Sequence, residues 1–489
     1  MDKSGSYRFN RINFYLNGKN VVYDIAPGLS SLDFINKELH MYGTKCSCNE
    51  GDCGACTVVI AYPLEGQIVY EAVNSCLYPA AKLHGKHLIT VEGLGTPENL
   101  HPIQSALLEH HGTQCGYCTP GFVMSMYAMF ATLSHPDEEA IMAALEGNLC
   151  RCTGYQSILE AARQLSLSCT PEDIVPRWCR DVEPLLFSFK DLPETAEHTS
   201  QSHYQIDSYL LPETLAELHE LLIQYPQARL IAGGTDIMVQ VNISRQHFEM
   251  LIDISRIKEL QFIRMGRDGV HIGAGITYSQ VLASGIARTD LPVLIGMIRL
   301  IASQQIRNFG TLAGNVANAS PIGDSIPVLL VYEALVVLSS KQGERTIPLK
   351  EFFLGYRKTA LQPGELIREI IIPIPHRDSF IRSLKSSKRK SVDISTIASA
   401  LRLDAQEGII QKGLLAFGGV AATPVLSVNF SKLVAGAFID RLNLEDIAEV
   451  IAAEFEPLSD VRGSSEYRTQ MIKNHLAQYA QMLKEAQHG

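Results

Sequence analysis

At 489 residues the chain is too long for one compact module and corresponds to three or four domains of ordinary size. Its composition, 46% hydrophobic and 19% charged, is that of a globular protein and excludes wholesale disorder. The 52 acidic residues outnumber the 42 basic ones for a net charge of −10, and no segment concentrates the basic ones, which argues against a nucleic-acid partner.

Behind Met1-Asp2-Lys3-Ser4-Gly5 there is no apolar run of the kind an export signal needs, so a cytoplasmic location is expected. Ile12 to Leu16 alternates apolar and polar, meets Asn17-Gly18 and resumes at Val21 to Ile25, the pattern of a hairpin closed by a type I′ turn. Ser30 and Ser31 then precede Leu32, Phe34, Ile35 and Leu39, a serine-capped helix. Further strands are expected at Thr57 to Tyr62, Gln67 to Val73 and Leu88 to Val91, which together give a small mixed sheet of β-grasp type. From His101 the pattern turns helical. Four short helices are expected, from Pro102 to Gly112, Thr119 to Ser134, Asp137 to Leu149 and Ser157 to Ser166. Residues 169–204 hold four prolines without clear periodicity and read as a linker.

Beyond it, helix and strand alternate. Thr214 to Tyr225 reads as a helix, Ala228 to Ala232 as a strand ending at Gly233-Gly234, and a second glycine-rich patch spans Gly310 to Asp324. The longest apolar stretch, Ile326 to Leu338, is 13 residues with Glu333 inside it, short of the roughly 20 a membrane span needs. A last region combines an antiparallel sheet (Ile397 to Leu403, Gly413 to Phe417) with helices near Leu444 to Phe455 and Ser464 to Glu485. The expected class is therefore α+β multidomain, divided serially at 1–92, 93–168, 169–204 (linker), 205–378 and 379–489.

Eleven cysteines in a chain without an export signal favour metal or redox use over disulfides, and nine of them precede residue 153. Cys48-x4-Cys53-x2-Cys56, followed by Cys76, has the spacing of a plant-type ferredoxin site, in which four thiolates hold a 2Fe–2S cluster. Zinc also takes four thiolates and is the competing reading, but four and two intervening residues suit the cluster better. A second set, Cys115-x2-Cys118 and Cys150-x-Cys152, sits at helix boundaries, where free N–H groups face a net-negative cluster favourably. Its spacing alone fits zinc or iron equally; its neighbour tips it to a second 2Fe–2S cluster. Cys46, Cys169 and Cys179 are left over as incidental or buried thiols.

Cys48 to Val58 (CNEGDCGACTV), Gln114 to Gly121 (QCGYCTPG) and Gly147 to Tyr155 (GNLCRCTGY) closely resemble the iron–sulfur domains of molybdenum hydroxylases. The resemblance implies a β-grasp 2Fe–2S domain, a four-helix 2Fe–2S bundle, an α/β FAD-binding domain of the type shared by these flavoproteins, and a C-terminal α+β domain. It also implies that Gln114 and Cys152 contact the pterin of a molybdenum cofactor.

Leu230-Ile231-Ala232-Gly233-Gly234-Thr235-Asp236-Ile237 is a strand end, a glycine pair and a helix-like continuation, which can cradle a pyrophosphate or be an ordinary turn. By resemblance it runs along the FAD diphosphate, while Thr311, Asn315 and Asp324 hydrogen-bond the cofactor and Ile301, Ile367 and Lys385 add contacts. Ala313 stands where the family usually has a glycine. Tyr356 matches a tyrosine that can cover the flavin ring, an ordinary half-buried tyrosine being the alternative. Gly273-Ala274-Gly275 lacks the third glycine of a dinucleotide fingerprint.

The family's molybdenum domains need several hundred further residues, so they are expected on a partner polypeptide, the large subunit, in a dimer of heterodimers. No catalytic residue is expected on this chain. By the same resemblance, fusion of iron–sulfur and flavin parts favours the xanthine dehydrogenases over aldehyde oxidases and carbon monoxide dehydrogenases, and the family implies NAD⁺ as acceptor, with oxygen or another acceptor as the alternative. A related hydroxylase or reductase acting on an aldehyde, nicotinate or an aromatic acyl-CoA through the same layout is the rival reading. A zinc-stabilised interaction module is the non-enzyme alternative.

Overall fold

The computed structural model describes residues 11–189, 198–199 and 205–488; the opening Met1 to Gly5 and the linker residues 190–197 and 200–204 lie outside them. The chain divides into two compact units that interleave in sequence, whereas the sequence reading divides it serially. One unit holds residues 1–212, 227–256 and 302–310, the other 213–226, 257–301 and 311–489.

The first unit opens with the expected hairpin, β1 (Arg11–Leu16) and β2 (Lys19–Asp24), whose turn residues Asn17 and Gly18 both have positive φ (46° and 87°), as a type I′ turn requires. A helical turn begins at Ser31, where the Ser30 hydroxyl caps the Asp33 N–H at 3.1 Å. Strands β3 (Thr57–Leu64), β4 (Gln67–Asn74) and β5 (His87–Ile89) complete a mixed sheet in which β5 runs parallel to β1 and antiparallel to β3. Side-chain alternation along β3 divides two cores. Val58 and Ile60 face one with Ile12 and Phe14, while Val59 and Ala61 face another formed with the helices.

Those helices are α1 (Pro102–Glu109), α2 (Thr119–Thr132), α3 (Glu138–Leu145) and α4 (Gln156–Ser168). In α2 every residue from Gly121 to Phe130 is buried, so it is the central helix of the group. The featureless linker of the sequence reading is corrected for residues 171–187: a turn at Pro171–Ile174 leads to α5 (Arg177–Phe187), which buries Cys179, Val182 and Leu186. Those three positions follow helical spacing. Pro171 opens its turn, and Pro176 precedes α5, where prolines do not cost a helix its hydrogen bonds; only Pro184 lies inside. Downstream, His198–Thr199 pairs in parallel with Tyr23 and Asp24 at the edge of the sheet. A small parallel sheet, Tyr209–Leu210, Leu251–Asp253 and Arg229–Ile231, completes the unit.

The second unit contains a five-stranded antiparallel sheet centred on Leu366–Ile372 and a four-stranded sheet centred on Ile397–Gln406 and Ile409–Gly418. The apolar run Ile326 to Leu338 is divided between a short helix, Ser325–Val331, and a strand, Leu335–Ser340. Among the described residues no helix is long and apolar enough to cross a membrane. Helix Ser465–His488 covers the second sheet and buries His475 between the hydroxyls of Ser386 (2.8 Å) and Ser399 (2.7 Å). Burial holds that imidazole down to about 4. A ring kept neutral in the fold but free to protonate when unfolded contributes stability above pH 6.5 that is lost as pH falls towards 4, by roughly 3 kcal/mol. Urea unfolding between pH 7 and 4 is expected to show this loss in the parent and to lack that component in His475→Asn.

Candidate functional site

The first cysteine loop is held from both sides of the β3–β4 hairpin. Cys48, Cys53 and Cys56 precede β3 and Cys76 follows β4. Asn74 Nδ2 donates to the Gly51 carbonyl (2.6 Å), Ser75 Oγ to that of Cys56 (2.7 Å) and Thr57 Oγ1 to that of Gly54 (2.6 Å). The loop is therefore fixed from within the motif by Thr57 and from outside it by Asn74 and Ser75. Cys56 and Cys76 are buried, Cys48 and Cys53 half-buried.

The four sulfurs meet as two hydrogen-bonded pairs, Cys48 with Cys53 and Cys56 with Cys76. The hydrogen bond from Cys53 is the main cause that draws Cys48 down to about 5, against burial, with help from the backbone N–H groups of Glu50, Asp52 and Cys53. The same bond drives the Cys53 thiol up. Cys76 likewise lowers Cys56 and is itself raised well above an ordinary thiol. In each pair one sulfur is favoured as the thiolate and its neighbour as the thiol. A two-iron centre takes two thiolates at each iron, and metal binding displaces such protons, so this donor set fits a 2Fe–2S group. Among the described residues, no three or more His, Cys, Asp or Glu side chains converge as the ligand set of a single ion.

The second set repeats the arrangement. Cys115 and Cys118 lead into α2, Cys150 and Cys152 lie between α3 and α4, and the pairs are Cys115 with Cys152 and Cys118 with Cys150. Burial, then the bond to Cys150, pushes Cys118 up to about 12. Burial also opposes ionisation of Cys150 but is outweighed, because Thr153 offers it both hydroxyl (3.2 Å) and N–H (3.4 Å) and Cys152 its N–H (3.4 Å). Tyr155 accepts from the Cys150 N–H at 3.1 Å. In the sequence Thr153 and Tyr155 stand out only as part of the motif, and a hydroxyl three residues after a cysteine in a turn is the one signal of these roles. Gln114, Cys115 and Cys152 are exposed.

Of the other cysteines, Cys46 is exposed, and its carbonyl accepts a hydrogen bond from Tyr117. Cys169 is half-buried. Cys179 is buried against the Tyr127 hydroxyl (3.2 Å), and burial pushes its thiol up to about 12, which keeps it an inert packing residue.

The glycine pair expected to follow a strand does so, after Arg229–Ile231 and before the short helix Ile237–Asn242. Gly234 has φ +99°, a conformation that lets the chain turn between the two. The loop is supported by buried Lys82, which donates to the Ala232 carbonyl and lies 3.3 Å from buried Asp253. Lys82 lies outside any motif and was not foreseen. All of Leu230 to Ile237 belongs to the first unit.

Within the second unit, two of the predicted polar residues, Asp324 and Lys385, form an ion pair. Asp324 accepts from Lys385 (2.8 Å) and from Ser395 (2.5 Å), and Lys385 also donates to the Leu300 carbonyl (2.8 Å), next to the predicted Ile301. Asn315 accepts from Ser325 at 2.8 Å. Lys385 and Asp324 side chains are only 5% and 9% exposed, so the pair is buried. Thr311 is committed to the cap of helix Leu312–Asn318, receiving the Gly314 N–H at 3.0 Å, and so positions Asn315 on that helix. Ile367 is buried in its strand and Ile301 half-buried. Tyr356 sits exposed in the turn of the hairpin Phe353–Gly355 and Lys358–Thr359. Ser325, Ser395 and the Leu300 carbonyl escaped the sequence reading.

Comparison with known proteins gives four family matches in chain order. They are "2Fe-2S iron-sulfur cluster binding domain" over residues 14–81, "2Fe-2S binding domain" over 90–163, "FAD binding domain in molybdopterin dehydrogenase" over 202–375 and "CO dehydrogenase flavoprotein C-terminal domain" over 382–483. Xanthine dehydrogenase/oxidase of Mus musculus is 33% identical over 92% of this chain, which spans 37% of that relative's length. A solved structure of Cu,Mo-CO dehydrogenase in its cyanide-inactivated form has a chain 31% identical, with a TM-score of 0.53, covering 55% of this chain and 94% of its own. Quinoline 2-oxidoreductase from Pseudomonas putida 86 is 25% identical with the same TM-score of 0.53, over 57% of this chain and 96% of its own.

Proposed function

Because the chain belongs to the molybdenum hydroxylase family, as its iron–sulfur and flavin-carrying part, we propose that it is the electron-transfer subunit of a xanthine dehydrogenase. In this reading a molybdenum-binding partner chain oxidises hypoxanthine and xanthine to urate. Electrons leave through two 2Fe–2S clusters to FAD and then to NAD⁺. The clusters accept one electron each and the flavin two, which is the chemistry these groups supply when bound.

The observation that carries the proposal is the placement of the two cysteine sets, one around the β3–β4 hairpin and the other at the helix boundaries before α2 and between α3 and α4, each inside a matched 2Fe–2S domain. Cys48, Cys53, Cys56 and Cys76 would hold one cluster and Cys115, Cys118, Cys150 and Cys152 the other. Thr153 and the Cys152 N–H would offset charge on the Cys150 sulfur. Leu230 to Ile237 would line the diphosphate of FAD, with Thr311, Asn315, Asp324, Lys385, Ile301 and Ile367 as its other contacts. Gln114 and Cys152 would meet the pterin of the partner chain; their exposure supports such a role. A cytoplasmic dimer of heterodimers completes the reading.

A related hydroxylase of different substrate is the second reading, favoured by the similarity to CO dehydrogenase and quinoline 2-oxidoreductase structures. The test is the chain co-expressed with its partner, assayed for iron, acid-labile sulfide, zinc and released flavin. About four irons, four sulfides and one FAD per chain are expected. Anaerobic xanthine is expected to bleach the flavin, and NAD⁺ to restore its colour. Zinc without flavin in a folded preparation would overturn the electron-transfer role; bleaching by another substrate but not by xanthine would replace the substrate.

A further inference from the structure

The two cysteine loops touch through backbone. The Leu149 N–H donates to the Cys53 carbonyl at 2.9 Å, and Leu149 is bonded to Cys150, so one hydrogen bond links a cysteine of the first set to a cysteine of the second. The approach is possible because Gly54, at φ +67°, has no Cβ: one there would run into the Gly147 carbonyl and Asn148.

Asn148 holds this junction in register. Its Nδ2 donates to the Gly54 carbonyl at 3.1 Å, and its Oδ1 accepts from Ser125 (2.7 Å) and from Gln305 Nε2 (2.9 Å). Gln305 Nε2 also reaches Ser125 Oγ at 3.0 Å. Ser125, Asn148 and Gln305 are all buried. Gln305 lies in Ala302–Gly310, a segment of the first unit whose sequence neighbours on both sides belong to the second. It is anchored there by Arg307, 3.2 Å from Glu146, and by Asn308, which donates to the Ala72 carbonyl at 2.7 Å. The Gln305 Oε1 is buried with no hydrogen-bond partner, and a Cβ at Gly147 would collide with it. A buried orphan oxygen is costly, and the structure tolerates it where the amide nitrogen grips Asn148.

We infer that Gln305 is a positioning residue for the paired cysteine sets: by orienting the Asn148 amide it fixes the Leu149–Cys53 hydrogen bond, and with it the separation and coupling of the two redox centres. The inference rests on the proposal that both sets hold 2Fe–2S clusters. Its test is the dithionite-reduced holoprotein with its partner, in the parent, in Gln305→Met, which keeps length but removes the donor, and in Ser125→Ala, which leaves the glutamine in place. Iron and flavin are quantified, and low-temperature electron paramagnetic resonance reads the mutual splitting and relaxation of the two reduced clusters.

Gln305→Met is expected to keep full iron and flavin while its splitting and relaxation change, and Ser125→Ala to change them in the same direction by less. Full iron with signals identical to the parent in Gln305→Met overturns the inference. If that variant does not fold, unchanged signals in Ser125→Ala overturn it. A parent with both clusters but no mutual interaction also overturns it, whereas a parent without iron overturns the proposed function instead.

Discussion

Replacing Cys56 with serine is expected to lower the iron content from about four to about two per chain and to remove one of the two reduced-cluster resonances while leaving the other. The residue is buried and paired with buried Cys76, so no neighbouring solvent-exposed thiol can stand in from the same position. The loop itself should survive, because what pins it at this point is the bond from Ser75 Oγ to the Cys56 carbonyl, which a serine side chain leaves in place. Loss of the metal removes the free energy that its binding adds to the fold, so the thermal midpoint falls together with the iron. Iron and sulfide assays with electron paramagnetic resonance check the outcome. Retention of four irons would exclude Cys56 as a ligand and bring the exposed Cys46 into consideration.

Lys385→Met is expected to cost the protein its flavin. The ammonium is the positive partner of buried Asp324, and its removal leaves a carboxylate with Ser395 alone as its described side-chain donor and the Leu300 carbonyl without this donor. Breaking one partner from a buried ion pair costs about 3–5 kcal/mol. If about 1.4 kcal/mol of this is felt at the cofactor, affinity already falls about tenfold. The measurement is the ratio of released flavin to polypeptide after gel filtration, with Lys385→Arg as the variant that keeps the charge. Full flavin occupancy in Lys385→Met would show that the cluster around Asp324 supports the fold only.

The first cysteine set was legible because a plant-type cluster loop demands one residue type at short spacing; the second, whose spacing alone fits zinc or iron equally, was legible only beside it. The first sheet and the four helices before residue 169 were equally legible: Asn17-Gly18 encodes the first turn, and the short apolar run Val58 to Ala61 marks a strand buried on both faces. What the sequence conceals is assembled over long separations. Ser395 reaches Asp324 across 71 positions and Gln305 reaches Asn148 across 157, and no local pattern announces either. Lys82, in a turn after β4, reaches Ala232 across 150 positions for the same reason. Helix α5 was hidden differently: its prolines imitate a linker, although Cys179, Val182 and Leu186 carry the helical period.

The strand His198–Thr199 is only two residues long, yet it occupies the open side of β2, next to Tyr23 and Asp24. Without it, Tyr23 and Asp24 would add their backbone groups to the open edge of β2, and such unpaired N–H and C=O groups are the template on which chains associate edge to edge. Fragments of this protein cut between α5 and residue 198 would therefore keep both cysteine sets but gain an adhesive border. Concentration-dependent self-association is to be expected of them, and a truncation meant to isolate the iron–sulfur domains should end beyond Thr199.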